Sequence, residues 1–377
     1  MVSIRTFDAG EGGREHYIVV EGAQSSDLPS QIRSVADSYR DAQARLGLSP
    51  GTAVFRRVFL SDALNQAALV RESSIFDDSV AISIVQQRPL CGAKVALLAY
   101  HIDSPQGLTK RRVSPRHLIV EKAGKRHLWS TRLCAGDADR SLSAESQTRA
   151  IFDDLIHALT QQGASMRDHC VRTWIYMRDV DIFYRGMVDA RRALFNDHGL
   201  TGSTHFIAST GIEGAGAHRY DVVSMDAYSN LDVELKQVSY LNDFDKLCAT
   251  KDYHVTFERA TRVAYADRAH IFISGTASID ASGEVVHPGD AGRQLDRALE
   301  NVDALLRAGA ATFADMTHMI VYLRDPSDLA LIEGRLRERF ADLPLIIVQG
   351  AVCRPEWLVE VEGVAVAKNA DASMPKF

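Results

Sequence analysis

Val321-Tyr322-Leu323-Arg324-Asp325 is a β-type run closed by an aspartate, and an aspartate in that place can cap a helix. The same phrase stands at Ile175-Tyr176-Met177-Arg178-Asp179 and, more faintly, at Val58-Phe59-Leu60-Ser61-Asp62. Outward from each copy, an amphipathic helix precedes the run and breaks at Gly47, Gly163 or Gly309. A second helix and one or two apolar strands follow. Three degenerate copies of one unit predict a trimer fused into a single chain, free to keep one active site and discard the others.

The third copy is the clearest. His270-Ile271-Phe272-Ile273-Ser274 leads through Gly275 and a turn at Ser282-Gly283 into Val285-Val286, which predicts a hairpin. Pro288-Gly289-Asp290 opens a helix with apolar positions at Leu295, Ala298, Leu299, Val302, Leu305 and Leu306, and Gly309 is expected to end it in the left-handed conformation. Asp325-Pro326 starts the next helix, and residues 345–349 and 358–366 finish the unit as strands. The order is ββαβαββ, an α+β sheet with two helices on one face. Charged and turn-forming residues cluster near 105 and 250, so the units are expected at 1–104, 105–250 and 251–377.

With 46% hydrophobic and 24% charged residues, disorder is expected only at glycine-rich 10–13 and in the tail 369–377. A net charge of -6 without a long basic run argues against nucleic acid or an anionic membrane as partner. Residues 1–14 lack a signal-peptide pattern, and no apolar run is long enough to span a bilayer. Five cysteines, at 91, 134, 170, 248 and 353, are odd in number and widely spaced, which points to reduced thiols in the cytoplasm. There is no P-loop, no G-x-G-x-x-G after a strand, no H-E-x-x-H, no G-x-S-x-G and no zinc-spaced cluster. Metal, nucleotide and serine-hydrolase chemistry lose support accordingly.

Set side by side, the last strands place Glu360 opposite Ser224 in the second unit and Ala96 in the first. An acid in an apolar strand is costly unless exposed or useful. Glu360 and Glu362 share a strand face, where each would raise the other's pKa and hold a carboxyl in the state a general acid requires; a pair of solvated acids on an open face is the plain alternative. Upstream lies Cys353-Arg354-Pro355. Arg354 can fork onto a carboxylate, while Cys353 is a polarisable group able to abut a ring, or else a buried small hydrophobe with no neighbouring histidine to activate it. Tyr322 and Arg324 share a face, but Tyr176 and Arg178 repeat them, which favours a structural role for at least one pair. The stretches Ser209-Thr210-Gly211-Ile212-Glu213-Gly214 and Ser274-Gly275-Thr276-Ala277-Ser278 read as loops whose amides and hydroxyls suit an anion, or as tight turns.

Residues 255–368 resemble the YjgF/Rid family, most visibly in Phe272-Ile273-Ser274-Gly275, Leu299-Glu300-Asn301-Val302, Val321-Tyr322-Leu323-Arg324-Asp325 and Val359-Glu360-Val361-Glu362-Gly363. That family forms homotrimers with sites in the clefts between subunits. Its deaminases use an arginine soon after the proline that begins the penultimate strand; here Pro344 is followed by Leu345-Ile346, which speaks against deamination. The chain as a whole, with Thr210-Gly211-Ile212-Glu213-Gly214, Cys353-Arg354-Pro355 and Glu360, resembles the chorismatases, cofactor-free enzymes that remove pyruvate from chorismate.

The resemblance implies Glu360 as general acid on the enolpyruvyl methylene, with Cys353 beside the ring. Alanine at the cysteine position marks the hydrolytic type and cysteine the type that makes 3-hydroxybenzoate, so 3-hydroxybenzoate is the favoured product and 4-hydroxybenzoate the related one. Arg354 and Arg324 are the candidate cations for the two carboxylates, with Tyr322, Thr210, Gly211, Gly275 and Ala277 completing the candidate binding set. No metal or other cofactor is expected, and a monomer is predicted. The competing readings are a Rid-type hydrolase or deaminase of a small imine or enamine acid, and a non-catalytic ligand-binding protein.

Overall fold

The three copies of the αβ phrase become three sheets in the computed structural model, which describes residues 1–24, 27–250 and 255–377. Unit one runs β1 (Val2–Asp8), β2 (Arg14–Glu21), α1 (Leu28–Leu46), β3 (Ala53–Leu60), α2 (Ala63–Arg71), β4 (Ala81–Gln86) and β5 (Val95–Asp103). Unit two runs β6 (Thr109–Ser114), β7 (His117–Lys122), β8 (Lys125–Cys134), α3 (Ala144–Thr160), the short α4 (Met166–His169), β9 (Cys170–Met177), α5 (Val180–Asp197), β10 (Ala208–Glu213) and β11 (Val223–Asn230). Unit three runs β12 (Val238–Leu241), β13 (Ala260–Ala264), β14 (Arg268–Ala277), α6 (Ala291–Ala308), β15 (Met316–Leu323), α7 (Leu329–Arg339), β16 (Leu345–Gln349) and β17 (Val359–Lys368).

The sheets share one strand order: β1-β2-β5-β3-β4, then β6-β7-β8-β11-β9-β10, then β12-β13-β14-β17-β15-β16. The ββαβαββ core therefore recurs in each unit, and units two and three add an edge strand at their start. β12 pairs with β13, so the third sheet draws on residues ahead of 250.

Register makes the repeat quantitative. Phe59 pairs with Ala96, Tyr176 with Ser224 and Tyr322 with Glu360, so the three positions are structural equivalents. Two residues on, Leu98, Asp226 and Glu362 are likewise equivalent. Three cognate hydrogen bonds close the units into a ring: Gln86 N to the Ala215 carbonyl at 2.8 Å, Glu213 N to Ala351 at 3.0 Å and Gln349 N to Arg88 at 2.9 Å.

Alternation along each strand divides the sheet faces. In unit one, Ile18, Val20, Val58, Leu60, Leu97 and Ala99 pack under α1 and α2. The opposite face, with Tyr17, Phe55, Phe59, Leu98 and Tyr100, joins Trp129, Trp174, Tyr228 and Phe272 from the other units in a central core.

Several local expectations are corrected. Asp62 and Asp325 do cap, accepting from the Asn65 and Ser327 amides, but Asp179 sits at φ 53° with no side-chain cap bond. Gly309 has φ −87°, and the left-handed residue is Ala310 at φ 57°. What requires glycine at 309 is contact: a Cβ there would lie 2.8 Å from Ile271 Cδ1 and 2.9 Å from Leu241 Cδ1. The strand paired along β14 is β13. The hairpin expected through Ser282-Gly283 is confined to a short turn past the end of β14, where Val285 bridges Ile279, with Asp280 N donating to the Glu284 carbonyl at 3.1 Å and Val286 N to the Ser278 carbonyl at 3.0 Å. The stretches read as loops at 209–214 and 274–278 lie largely within β10 and β14. The tail expected to be disordered ends with Phe377 buried beside His270 and under the Arg268 guanidinium, and residues 10–12 form a 3-10 turn.

Candidate active site

Where the edge strand β10 of unit two meets β14 and β17 of unit three, a cavity of about 160 Å³ opens. Its position follows from a β-bulge. β14 pairs Ile273 with Gly363 and then Thr276 with Val361, so one extra residue bends the strand away beside Glu360. Gly275 is at that bend. A Cβ there would lie 2.2 Å from Glu360 Oε1, so the carboxyl occupies the space a side chain would need.

Glu360 is 5% exposed, faces the cavity and makes no hydrogen bond among the described residues. Burial, and after it the charge of Glu362, push its carboxyl up to about 8, while Arg172 and Arg259 oppose the rise. The neutral acid is the main form at pH 7. The alternative of two solvated acids on an open face is excluded by the burial of both Glu360 and Glu362.

Glu362 belongs to a buried ionic cluster beneath the cavity. Arg172 Nη2 reaches Glu362 Oε2 at 2.6 Å, and Arg57 from unit one lies 3.7 Å from Glu362 Oε1 and 3.4 Å from Asp226 Oδ2. Trp174 lies beneath both guanidinium groups, at 4.6 Å and 4.9 Å. Two arginines thus face two carboxylates with aromatic support, an arrangement that offsets the desolvation of buried charge. No cation of this set is left over for Glu360.

Seven of the sequence-derived candidates line the cavity: Glu360, Cys353, Arg354, Thr210, Gly211, Gly275 and Ala277. Burial pushes the Cys353 thiol up to about 12, with the neighbouring Glu360 charge adding to it, so it is a neutral polarisable wall. Arg354 lies over Trp357 at 4.6 Å and donates to the Gly283 carbonyl at 3.0 Å. The Thr210 hydroxyl is spent within the protein: it donates to Glu362 and accepts from Arg172 at 2.6 Å and from the Gly275 amide at 2.8 Å.

Tyr322 and Arg324 lie outside the cavity. Tyr322 is fully buried and donates to Glu362 Oε1 at 3.0 Å; Arg324 forks onto Asp181 with both contacts at 2.9 Å. Sequence reasoning missed Arg191 and Arg259, both buried on the cavity wall, together with Tyr184, Phe257 and Trp357. Arg191 had a legible signal. It falls on the buried stripe of α5 formed by Met187, Ala190, Leu194 and Phe195, where a cation needs a reason.

Residues 258–367 match the family described as Endoribonuclease L-PSP. The chain is 27% identical over 256 residues to a Streptomyces hygroscopicus protein named 3-hydroxybenzoate synthase, spanning 62% of this chain and 73% of that one. It is 30% identical over 97 residues to the 3-aminoacrylate deaminase RutC of Acinetobacter baylyi, spanning 25% of this chain and 77% of the relative. A chorismatase crystal structure shares the fold, with a TM-score of 0.63 at 18% identity over 84% of this chain and 93% of the other. The chain therefore belongs to the Rid-like superfamily, and its fold is that of the chorismatase crystal structure.

Proposed function

We propose that this protein cleaves chorismate to pyruvate and a hydroxybenzoate, with 3-hydroxybenzoate the favoured product and Glu360 the general acid. The observation that carries the reading is a buried carboxyl, raised to about 8, facing a cavity walled by Arg191, Arg259 and Arg354. A neutral acid can protonate the enolpyruvyl methylene carbon; oxocarbenium character then develops on the ether carbon, and the bond from the ether oxygen to the ring breaks. The ring loses one proton as it becomes aromatic, so the proton taken from Glu360 is replaced. Direct loss of that proton leaves the ring hydroxyl in place and gives 4-hydroxybenzoate, whereas 3-hydroxybenzoate requires the hydroxyl oxygen to shift onto the adjacent ring carbon that the ether oxygen has left. Chorismate divides into pyruvate and hydroxybenzoate without gain or loss of atoms, so neither water nor a redox partner enters the balance. The three arginines supply charge for two carboxylates, and Cys353 offers an apolar, unionised contact to the ring.

Substrate contact is assigned to the cavity-lining residues; Tyr322 and Arg324 hold the frame. The Rid-type deaminase reading loses ground at all three clefts. Ser83, Thr210 and Ile346 occupy equivalent positions opposite Arg57, Trp174 and Ile320, and none is the arginine that chemistry requires. The same reading has the chain acting as a cytoplasmic monomer, whose mass light scattering would report. Among the described residues no helix is long and apolar enough to cross a membrane.

The test is incubation of purified protein with chorismate alone, followed by chromatography with mass detection. Pyruvate with 3-hydroxybenzoate is expected, and Cys353→Ala should divert product toward the dihydroxy acid that requires water. Absence of pyruvate would overturn the proposal.

A further inference from the structure

The ring of units contains a second cleft at the position equivalent to the first. It lies between units one and two, has a volume of about 580 Å³ and is lined by β4, β8 and β11. Part of the buried frame is repeated there. Ser83 donates to Asp226 Oδ2 at 2.5 Å and Tyr176 does so at 3.3 Å, as Thr210 and Tyr322 do to Glu362.

The chemistry at the mouth is changed at two linked positions. Ser224 stands where unit three has Glu360. The bulge recurs as well: β8 pairs Leu133 with Met225 and then Ser130 with Ala227, so Arg132 occupies the place of Gly275. Removal of the acid leaves room for a side chain at the bulge, and the side chain there is a cation. Arg132 holds φ 57°, costly for a residue with a Cβ, and its amide donates to Asp226 Oδ1 at 3.0 Å. Its guanidinium lies over Phe76 at 5.3 Å and donates to the Pro115 carbonyl at 2.8 Å, but forms no ion pair among the described residues. Arg71 on the same wall is exposed and also without an ion pair among the described residues.

The acids on the wall are mostly engaged: Asp226 by Arg57, Ser83 and Tyr176, Asp137 by Arg140, and Asp221 by the Gly136 amide, with Asp78 exposed at the rim. Phe76, Ile84 and Met225 add apolar surface between the two arginines and the floor. The third cleft differs: β2 and β5 pair without a bulge, and the equivalent residues Ala96, Leu98 and Ile346 are apolar and buried.

We propose that the cleft between units one and two is a second, non-catalytic ligand site for a small carboxylate carried on an apolar ring, held by Arg132 and Arg71. It binds without turnover because Ser224 replaces the proton donor.

The probe is labelled benzoate, measured by equilibrium dialysis against the full chain and against Arg71→Glu and Arg132→Gln. Both variants are expected to weaken one class of benzoate site by about tenfold or more, since each removes a charge-assisted contact. Arg71 is exposed, so Arg71→Glu should melt like the native chain and decides the question even if Arg132→Gln folds poorly. An unchanged isotherm in Arg71→Glu, or no benzoate bound by the native chain, overturns the proposal.

Discussion

At Gly275 the chain omits a side chain because Glu360 fills the space. Gly275→Ala puts a Cβ 2.2 Å from Glu360 Oε1, and the carboxyl must leave its place for the strand to keep its bulge. Gly211 lines the same cavity, yet a Cβ there meets nothing nearer than 3.6 Å. Gly275→Ala is therefore expected to lower kcat by about a hundredfold, the scale of a displaced catalytic group, with Gly211→Ala close to native in a pyruvate-release assay. Equal effects at both glycines would contradict this account of the carboxyl. Glu360 itself was legible because three copies of one strand could be compared and only one carried an acid at that position. Arg259 was not, because a cation in a connecting segment shows its purpose only once another unit has been folded against it.

Between elements, packing outranks local conformation at the end of α6. Helix periodicity located α6 and its terminal glycine, and the reason for the glycine lay outside the helix, in Ile271 and Leu241. Gly309→Ala is expected to cost about 1–3 kcal/mol by overpacking, measured by urea denaturation, although its φ of −87° suits any residue. A neutral result would mean that the β14 and β12 side chains yield easily. The same contrast explains the misread segments at 209–214 and 274–278. Gly, Ser and Thr are turn-forming residues in isolation, but here small side chains allow one sheet's edge to approach another sheet's bulge. The N-terminal strands β1, β2 and β6–β8 went unread for a related reason: their charged positions, such as Glu15 and Arg112, satisfy partners on other elements and so obscure the alternation.

Over the whole molecule, charge ties the ring together where a fused trimer could have used apolar seams throughout. Arg57 of unit one contacts carboxylates of units two and three, and Arg268 of unit three meets Glu15 of unit one at 2.6 Å with both side chains fully buried. Such pairs are costly to break from one side. Arg57→Met should destabilise the chain by about 3–5 kcal/mol, because Asp226 and Glu362 remain buried without it, and denaturant unfolding would measure the loss. A native midpoint would show that the cluster is looser than its distances imply. The pseudo-threefold plan was legible in the repeated phrase, and so was the single acid at Glu360. The other side-chain differences among the clefts, such as Arg132 against Gly275, were not, since they depend on which residues register places opposite one another.

The most direct test is kcat/KM for chorismate against pH, for the native chain and for Glu360→Gln. In the proposed mechanism the protonated carboxyl is the active form, and burial raises its pKa to about 8, so the native profile should be level near neutrality and fall about tenfold per unit above that value. Glu360→Gln should lose about 10²–10⁴ in rate and the descending limb with it. Turnover by Glu360→Gln at the native rate, or a native rate that climbs through pH 8, would contradict the assignment of the general acid.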